Sequence, residues 1–435
     1  MSKDIDIFLG RRKKLLKKLK SNSAVVIATN PFQTRSRDTE FTFRPDSDFY
    51  YLTGFSEPNA VLLLINSPQP QSILFCKERD AFKEMWDGNI TGTKRAKQNF
   101  GFDKAYDINL IDQEMPNLIS GIYTVYYSMA ALNNLHDSLM RWSKAVSKTR
   151  YKSKAPKVFE DIDETVHEMR IIKDNYEKDI MRKSAQIAAS AHINAMKACK
   201  PGMYEFELES EFLYEFKKHG STVSYDSIVG AGNNACVLHY RENSSKIKSG
   251  DLILIDAGCE YKMYASDITR TFPANGKFTN AQKEIYEIVY EANRAAIKKV
   301  VPGNIWSDPH DAAVRVITRG LVELGLLKGN VNQLIKNNAH TEYFMHKTGH
   351  WLGIDVHDVG RYLDGEKPRQ FRPGMITTIE PGIYISNNSR APKKYRGIGI
   401  RLEDDVLVTK SKPEILTKDV PITINAIEHL MASNA

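Results

Sequence analysis

The chain has 435 residues, with 42% apolar and 26% charged side chains and a net charge of +8. This length favours two domains, and this composition is typical of a globular protein with enough apolar residues for a core. No stretch approaches the roughly 18 apolar residues in a row that span a bilayer, and no apolar stretch follows the basic residues near the N-terminus. We therefore expect neither a membrane span nor a secretory signal.

The basic residues concentrate early in the chain, where seven of the ten residues 11–20 ("RRKKLLKKLK") are lysine or arginine. Leu15, Leu16 and Leu19 recur at helical spacing, which predicts a short amphipathic helix lying on the surface. A nucleic-acid or membrane-surface role is the alternative, but no aromatic-rich basic module accompanies this helix. The prediction is a protein with neither a nucleic-acid nor a membrane partner.

The first third of the chain alternates short apolar runs ("AVVIATN", "AVLLLIN", "SILFCK", "GIYTVYYSMA") with segments of helical length, which predicts an α/β domain. The pattern then changes to one long amphipathic helix, with Asp174 as its N-cap and Pro201–Gly202 as its stop. We therefore expect an N-terminal α/β domain over residues 1–173 and a second domain over residues 174–435.

The four cysteines (Cys76, Cys199, Cys236 and Cys259) are scattered along both parts, without a CxxC pair. This spacing argues against a disulfide framework or a zinc knuckle. It favours a reducing compartment, so the predicted location is the cytoplasm.

The second part contains a weak internal repeat. A helix that stops at Pro201–Gly202, a second helix and several strands are followed by another helix that stops at Pro302–Gly303, a further helix and more strands. This repetition predicts an α+β domain with pseudo-twofold symmetry, whose two halves would share a buried site at their junction.

Four acidic residues of this second part lie in apolar, strand-like settings. Asp256 ends the run "DLILID", Asp267 precedes "ITRTF", Glu380 follows "MITTI", and Glu403 lies in "GIGIRLEDDVLV". A single such acid is typically half of a salt bridge, but four buried carboxylates together require a cation or a proton between them. Arg401 precedes Glu403 by two residues and would share its face of a strand.

Histidines add a second kind of candidate ligand. His346, His350 and His357 fall within twelve residues, although the whole chain has only eleven histidines. Imidazole is a frequent metal ligand and proton carrier. Together these residues predict a site for two divalent ions about 3.5–4 Å apart, held mainly by oxygen and therefore suited to manganese, cobalt or iron. The proposed ligands are Asp256, Asp267, His350, Glu380 and Glu403.

Two metal ions in this setting acidify a shared water and polarise a bound carbonyl, so the predicted chemistry is hydrolysis of an amide or ester. Glu380 is the candidate to accept and relay the proton. The neighbouring histidines, His239, His346 and His357, are candidates to hold the substrate or stabilise an oxyanion. Tyr240 and Tyr384 are interpreted as structural residues.

The segments "LHYREN", "LIDAGCEY", "SDITRTF", "MHKTGHWLGIDVHDVG", "IEPGIYI" and "GIRLEDDVLVT" resemble the catalytic motifs of aminopeptidase P, the Xaa-Pro aminopeptidases among the pita-bread metallopeptidases. The segment "RPDSDFYYLTGFSEPNAVLLL" resembles that family's N-terminal domain, so the resemblance covers nearly the whole chain. It implies release of an N-terminal residue that precedes proline, two manganese ions, and Arg401 as the arginine that braces the site. It also implies a homo-oligomer, a tetramer or dimer, in which Trp86 is the candidate to border a neighbouring subunit's active site.

Other functions fit less well. Prolidase is the nearest alternative because its metal set is the same, whereas creatinase lacks the ligands and methionine aminopeptidase generally lacks the large N-terminal domain. A binding module with decayed catalytic residues would not keep all five ligands. The segment "VGAGNNA" matches a loose dinucleotide fingerprint, but the next residues, "CVLHYREN", indicate a strand where that motif requires a helix.

Overall fold

The computed structural model describes residues 5–130, 135–148 and 154–433. The chain divides into two compact units, Met1–Arg170 and Ile171–Ala435, whereas the sequence places the boundary after residue 173. Each unit has its own sheets and its own buried apolar core.

The N-terminal unit is an α/β domain built on a mixed sheet, as the alternating apolar runs predict. Its elements are the helices α1 (Ile5–Leu16), α2 (Ser47–Thr53), α3 (Ala81–Asp87), α4 (Gly92–Phe100), α5 (Ile111–Ile119), α6 (Leu135–Ser147) and α7 (Asp163–Arg170), and the strands β1 (Ser23–Ala28), β2 (Thr34–Ser36), β3 (Thr39–Glu40), β4 (Val61–Asn66), β5 (Gln71–Cys76), β6 (Lys104–Asp107), β7 (Thr124–Tyr127) and β8 (Val158–Asp161). In the order β6-β5-β4-β1-β7-β8, strand β1 pairs antiparallel with β4 and parallel with β7. Apolar side chains of β1, β4, β5 and β7 pack with those of α5 and α6.

Helix α1 carries part of the basic stretch, but two of its cations face the interior. Arg11 donates to Tyr51 O at 3.1 Å and Arg12 to Leu52 O at 3.0 Å, near the end of α2. Arg12 also donates to two backbone carbonyls at the end of α4. Burial lowers the pKa of Arg12 to about 10. The predicted surface helix is therefore also a capping element, because its arginines satisfy carbonyls that helix ends leave unpaired.

The C-terminal unit is an α+β domain. Its elements are the helices α8 (Asn175–Ala198), α9 (Glu205–Lys218), α10 (Asn280–Ile297), α11 (Asp308–Glu323), α12 (Val331–Lys336) and α13 (Ile424–Ala432), and the strands β9 (Thr222–Val223), β10 (Ile228–Ala231), β11 (Leu252–Asp256), β12 (Cys259–Tyr261), β13 (Tyr264–Ala265), β14 (Thr269–Pro273), β15 (Leu363–Asp364), β16 (Lys367–Pro368), β17 (Ile376–Ile379), β18 (Gly382–Ile385), β19 (Ile398–Arg401), β20 (Asp404–Leu407) and β21 (Glu414–Ile415).

The internal repeat of the sequence is visible in this unit. Helix α8 packs against α9 before strands β9–β14, and α10 packs against α11 before strands β15–β20. Asp174 caps α8 in a capping box with Glu177, and Thr279 caps α10 in the same way with Gln282. The prediction of two helix–helix–strand halves is confirmed.

Two strand runs of the second half break at adjacent points. Strand β17 pairs with β20 and strand β18 pairs with β19, so the hairpin changes partners at residues 380–381 and 402–403. Leu402 N donates to Pro381 O at 3.2 Å across this break. The sequence places Glu403 within one strand, "GIGIRLEDDVLV", but that strand is interrupted opposite Pro381, which lacks the N–H that a ladder needs. Glu380 and Glu403 therefore leave the sheet next to each other.

One predicted strand is absent from its place. Residues 237–244 form irregular structure after a short 3-10 helix, Gly232–Cys236, so "CVLHYREN" is not a strand. That short 3-10 helix is also not the helix that a dinucleotide motif would need. Across the described ranges, no helix combines the length and the apolar character that crossing a bilayer requires.

Candidate metal centre and active site

A cavity of about 350 Å³ opens in the C-terminal unit, and the site residues proposed from the sequence lie around it. The cavity is lined from both halves of the unit, by residues of the β11–β14 region and by residues of the β17–β20 region. The predicted residues that line it are Asp256, Asp267, His350, Glu380, Glu403, His239, His346, His357 and Arg401.

Pairing of β11 with β14 brings the first two acids together. Asp256 ends β11 and lies opposite Thr269, so Asp267, two residues before Thr269, lies near it. Tyr225 joins this pair, because its OH is 2.5 Å from both Asp256 Oδ1 and Asp267 Oδ1. Since a hydroxyl has one proton, it can donate to only one of these carboxylates at a time. The other oxygen has to be neutralised by something else.

The second half supplies the remaining acids at the hairpin break. Glu403 is 2% exposed, and its Oε2 accepts a hydrogen bond of 2.7 Å from Thr269 Oγ1. Ligand atoms of Asp267, His350 and Glu403 all lie within 4.8 Å of one another, a spacing that could hold a metal ion. Oxygen and imidazole atoms at this density suit a divalent cation.

The orientation of the His350 ring is fixed by the backbone carbonyl of the next residue. Its Nδ1 is 3.0 Å from Trp351 O and therefore donates to that carbonyl. Its Nε2 then faces Asp267 Oδ2 at 3.4 Å and Glu380 Oε1 at 3.9 Å. Burial lowers the pKa of His350, but the hydrogen bond and charge of Asp267 outweigh burial and raise it to about 9. A ring whose second nitrogen is tied to a carbonyl is typical of metal-binding histidines.

Three of the acids have raised pKa values, which shows that the positive groups of the protein do not balance the negative charge of the site. Burial raises the pKa of Glu403 well above its usual range, and the charge of Asp267 adds to the shift. Burial likewise raises the pKa of Glu380 to about 7 and that of Asp256 above its usual value. Closely packed acids take up protons in this way unless a cation neutralises them. The donor set therefore fits divalent metal ions.

A hydrogen-bonded chain runs from the acids to one of the histidines. Arg401 Nη2 donates to Asp256 Oδ2 at 2.5 Å, and its Nη1 donates to Tyr384 OH at 3.0 Å. Tyr384 OH is 2.8 Å from His346 Nε2, while His346 Nδ1 donates to Lys347 O at 2.7 Å. His346 Nε2 therefore accepts from the tyrosine, and the ring is neutral. Burial and the charge of Arg401 lower the pKa of His346 to about 4, in agreement with this assignment.

The two acids that follow Glu403 point away from the cavity and support it from behind. Asp404 pairs with Arg270 at 2.7 Å and with Arg294 at 2.6 Å, and Arg270 donates to Glu403 O at 2.6 Å. Asp405 Oδ2 accepts from Asp267 N at 3.1 Å. Sequence alternation predicts that at least one of these acids faces away, and neither of them lines the cavity, since the strand pairing changes at residues 402–403.

Some site residues are not evident in the sequence. Tyr225 is a single tyrosine in "VSYDSIVG" with no pattern around it. Tyr384 is interpreted as structural from the sequence, yet its OH links Arg401 to His346. No spacing in the sequence identifies it, because the break at residues 380–381 separates its strand from Glu380. Tyr240 is not among the residues that line the cavity, and its OH donates to the buried Glu205 at 2.8 Å.

A cluster of buried acids and imidazole at the junction of two repeated α+β halves is the arrangement of a metal-dependent hydrolase. The family model "Metallopeptidase family M24" matches residues 179–410, and "Aminopeptidase P, N-terminal domain" matches residues 8–126. The chain therefore belongs to metallopeptidase family M24, and its C-terminal unit has the pita-bread fold.

Known relatives match both units over nearly their whole length. The chain is 44% identical to the Xaa-Pro aminopeptidase of Escherichia coli (strain K12), over 98% of this chain and 97% of that protein. The structure of Pseudomonas aeruginosa aminopeptidase PepP is 49% identical and superposes with a TM-score of 0.97, covering 99% of this chain and 98% of that one. A zinc-substituted E. coli aminopeptidase P in complex with product superposes with a TM-score of 0.97 at 43% identity, covering 100% and 99%.

Proposed function

We propose that the protein is a dinuclear metal-dependent exopeptidase that releases the N-terminal residue from peptides with proline in the second position. The observation that carries this proposal is the convergence of all nine candidate residues on one cavity of about 350 Å³. A cavity of this size falls in the ~300–1,000 Å³ range of small-ligand sites and accommodates the end of a peptide. The 44% identity to an Xaa-Pro aminopeptidase supports the same substrate class.

Five of the residues would hold two divalent cations, and manganese fits them best. Oxygen-dominated ligation with one imidazole favours manganese over zinc, which more often recruits cysteine in structural sites. When bound, such ions activate water and polarise a carbonyl. The proposed ligands are Asp256, Asp267, His350, Glu380 and Glu403.

Glu380 is the proposed proton carrier. Its carboxylate faces the cavity, with its side chain 19% exposed and Oε2 3.7 Å from His346 Nδ1. In this position it accepts the proton of the attacking water and returns it to the proline nitrogen as the peptide bond breaks. The position of Glu380 suits this role, because its carboxylate lies at the hairpin break and lines the cavity.

The histidines and Arg401 hold the substrate and the acids in place. His239, His346 and His357 all line the cavity. His239 and His357 can donate to the carbonyl oxygen as it becomes negative. Both nitrogens of His346 already have partners, so its ring would position Tyr384 and border the substrate. Arg401 is 4% exposed and neutralises part of the charge of Asp256. Tyr384 connects Arg401 to His346, so a shift of either side chain would be transmitted to the other.

The decisive experiment compares three peptides with the manganese-loaded protein: Ala-Pro, Ala-Pro-Ala and Ala-Ala-Ala. The proposal expects release of alanine from Ala-Pro-Ala and no cleavage of Ala-Ala-Ala, detected by mass spectrometry. Cleavage of Ala-Pro alone would instead identify an Xaa-Pro dipeptidase. Cleavage of none, with metal bound, would support the binding-module alternative.

The N-terminal unit is proposed to mediate self-association and access of substrate to the active site. Helix α3 exposes three large apolar side chains, Phe82 (66%), Met85 (77%) and Trp86 (77%). Such an exposed apolar group is typical of a protein contact. We expect a homotetramer or dimer in which Trp86 meets a second copy, and Trp86→Ala should lower the mass measured by light scattering.

The proposed location is the cytoplasm. Cys76, Cys199, Cys236 and Cys259 are all free thiols, and burial raises the pKa of Cys76 and Cys199 to about 12. Unpaired cysteines are typical of a reducing compartment. Fractionation of cells followed by immunoblotting tests this location.

A further inference from the structure

Lys173, at the start of the C-terminal unit, is a lysine whose charged side chain is almost completely buried. The side chain is 1% exposed, and Nζ lies 2.8 Å from Asp358 Oδ2, whose side chain is also 1% exposed. Lys173 N donates to Gly374 O at 2.9 Å, which fixes its backbone as well. Moving both charges out of water costs free energy, and the attraction between them offsets this cost only where the geometry of the pair is closely defined.

The pair closes the loop that carries His357. A Cβ on Gly353 would lie 2.1 Å from Asp358 Oδ2 and 3.0 Å from Lys173 Cε, so the loop backbone presses directly on the ion pair. Asp358 N donates to Trp351 O at 2.9 Å. The ends of the loop, residues 353 and 358, are therefore both held by this contact.

The same loop is also fixed to strand β13 of the other half. Ala265 N donates to Gly353 O at 2.8 Å, and Ala265 lies two residues before Asp267. His357 immediately precedes Asp358 and lines the cavity. The His357 ring lies edge-on to the His350 ring, with centroids 4.3 Å apart. The position of His357 therefore depends on residues 353–358, and this loop packs around the Lys173–Asp358 ion pair.

We propose that Lys173 is a positioning residue for the reaction and acts through His357. This inference rests on the proposed function, since it gives His357 its role at the substrate. Loss of the ammonium group would leave Asp358 charged and buried, and the loop would open to let water reach it. His357 would move with the loop, whereas the four proposed carboxylate ligands lie on other segments. His350 lies three residues before Gly353, and its Nδ1 would keep its hydrogen bond to Trp351 O.

A double-mutant cycle tests this proposal, with Lys173→Met, His357→Ala and the combined variant in the manganese-loaded protein. We expect Lys173→Met to lower kcat/KM for Ala-Pro-Ala by about 10- to 100-fold, and by less than about 3-fold once His357 is alanine. The metal content should stay that of the wild type. A purely structural role of Lys173 would reduce activity equally in both backgrounds and would overturn the proposal.

Two further variants keep the test interpretable. Lys173→Met/Asp358→Leu removes both charges, so it leaves no buried carboxylate for water to reach and should fold even where Lys173→Met does not. Its kcat/KM for Ala-Pro-Ala should return to within about 3-fold of the wild type, and a loss as large as that of Lys173→Met would contradict the role of the pair. Arg182→Met is the matched control, because it breaks the ion pair of Arg182 with Glu414 on the same unit, away from the cavity lining. Absence of Ala-Pro-Ala cleavage by the wild type would contradict the proposed function. Equal effects with and without His357, in an active wild type, would contradict only the role of Lys173.

Discussion

Glu380 is the residue on which the proposed chemistry depends most. Glu380→Gln keeps the size of the side chain but removes its ability to accept a proton. We expect kcat for Ala-Pro-Ala to fall by about 100- to 10,000-fold, the usual contribution of a general acid–base group. Glu366→Gln is the matched control, since Glu366 is exposed and does not line the cavity. An active Glu380→Gln enzyme would rule out this role.

Thr269 shows how a neutral side chain can tune the site. Its Oγ1 donates to Glu403 Oε2 at 2.7 Å and accepts from Arg401 Nε at 3.1 Å. Thr269→Val keeps the shape and removes both hydrogen bonds, so we expect manganese affinity to fall by about 10- to 100-fold, measured by calorimetry. Thr318→Val is the control, because Thr318 is also buried but bonds only its own helix, at Val314 O. Equal affinities of the two variants would contradict this prediction.

At the scale of elements, the segment that carries His350 is pressed onto strand β17. A Cβ on Gly349 would lie 2.0 Å from Thr378 O, too close for any side chain. Gly349→Ala should therefore push the segment off the strand, lower the free energy of unfolding by about 3 kcal/mol and weaken metal binding. Denaturant unfolding with and without manganese measures both effects.

The control for this substitution is Gly10→Ala in helix α1, where a Cβ would meet nothing within 4 Å. Alanine has the higher helix propensity there, so we expect this variant to gain about 0.5–1 kcal/mol. Wild-type stability of Gly349→Ala would show that the segment is not held as the structure indicates.

Helices α2 and α7 are linked by a contact that depends on pH. His167 Nε2 lies 3.1 Å from Asp48 Oδ2, and Arg170 Nη1 lies 2.7 Å from Asp48 Oδ1. Burial lowers the pKa of His167, but Asp48 outweighs burial and the pKa is raised. Burial raises the pKa of Asp48, but Arg170 and His167 outweigh burial and lower it, so Asp48 stays charged even at pH values below its usual pKa.

Because the folded pKa of His167 exceeds the unfolded one, its contribution to stability is complete below about pH 6.5 and is lost as the pH rises through the folded value. We expect His167→Gln to destabilise the N-terminal unit more at about pH 5.5 than at about pH 9. Hydrogen exchange of the α7 amides at the two pH values measures this difference. The same loss of stability at both pH values would contradict this contact.

The sequence predicts the candidate residues that line the cavity because strand-borne acids in apolar settings are rare and chemically costly. It predicts the repeat of the C-terminal unit because Pro–Gly stops follow both long helices. The break at Glu403 is not predicted, since the run "GIGIRLEDDVLV" alternates well enough to be one strand. Tyr225 and Lys173 were not predicted either, because their roles arise only from contacts with residues far away in the chain.

At the scale of the whole molecule, charge balance connects the fold to its function. The C-terminal unit places the carboxylates of the four proposed acidic ligands in one cavity, and Arg401 supplies a permanent positive charge beside them. Folding must overcome this repulsion, so bound cations should stabilise the folded state by mass action. We expect a chelator such as EDTA to lower Tm and added manganese to restore it. A Tm that does not respond to either would indicate that the acids are balanced in another way.

The central claim is that the two halves of the C-terminal unit hold a pair of divalent ions. Anomalous diffraction from crystals grown with manganese, collected on both sides of the manganese absorption edge, tests it most directly. We predict two anomalous peaks about 3.5–4 Å apart in the cavity, bounded by Asp256, Asp267, His350, Glu380 and Glu403. Manganese-saturated crystals without peaks among these five side chains, or with peaks only elsewhere, would contradict the account.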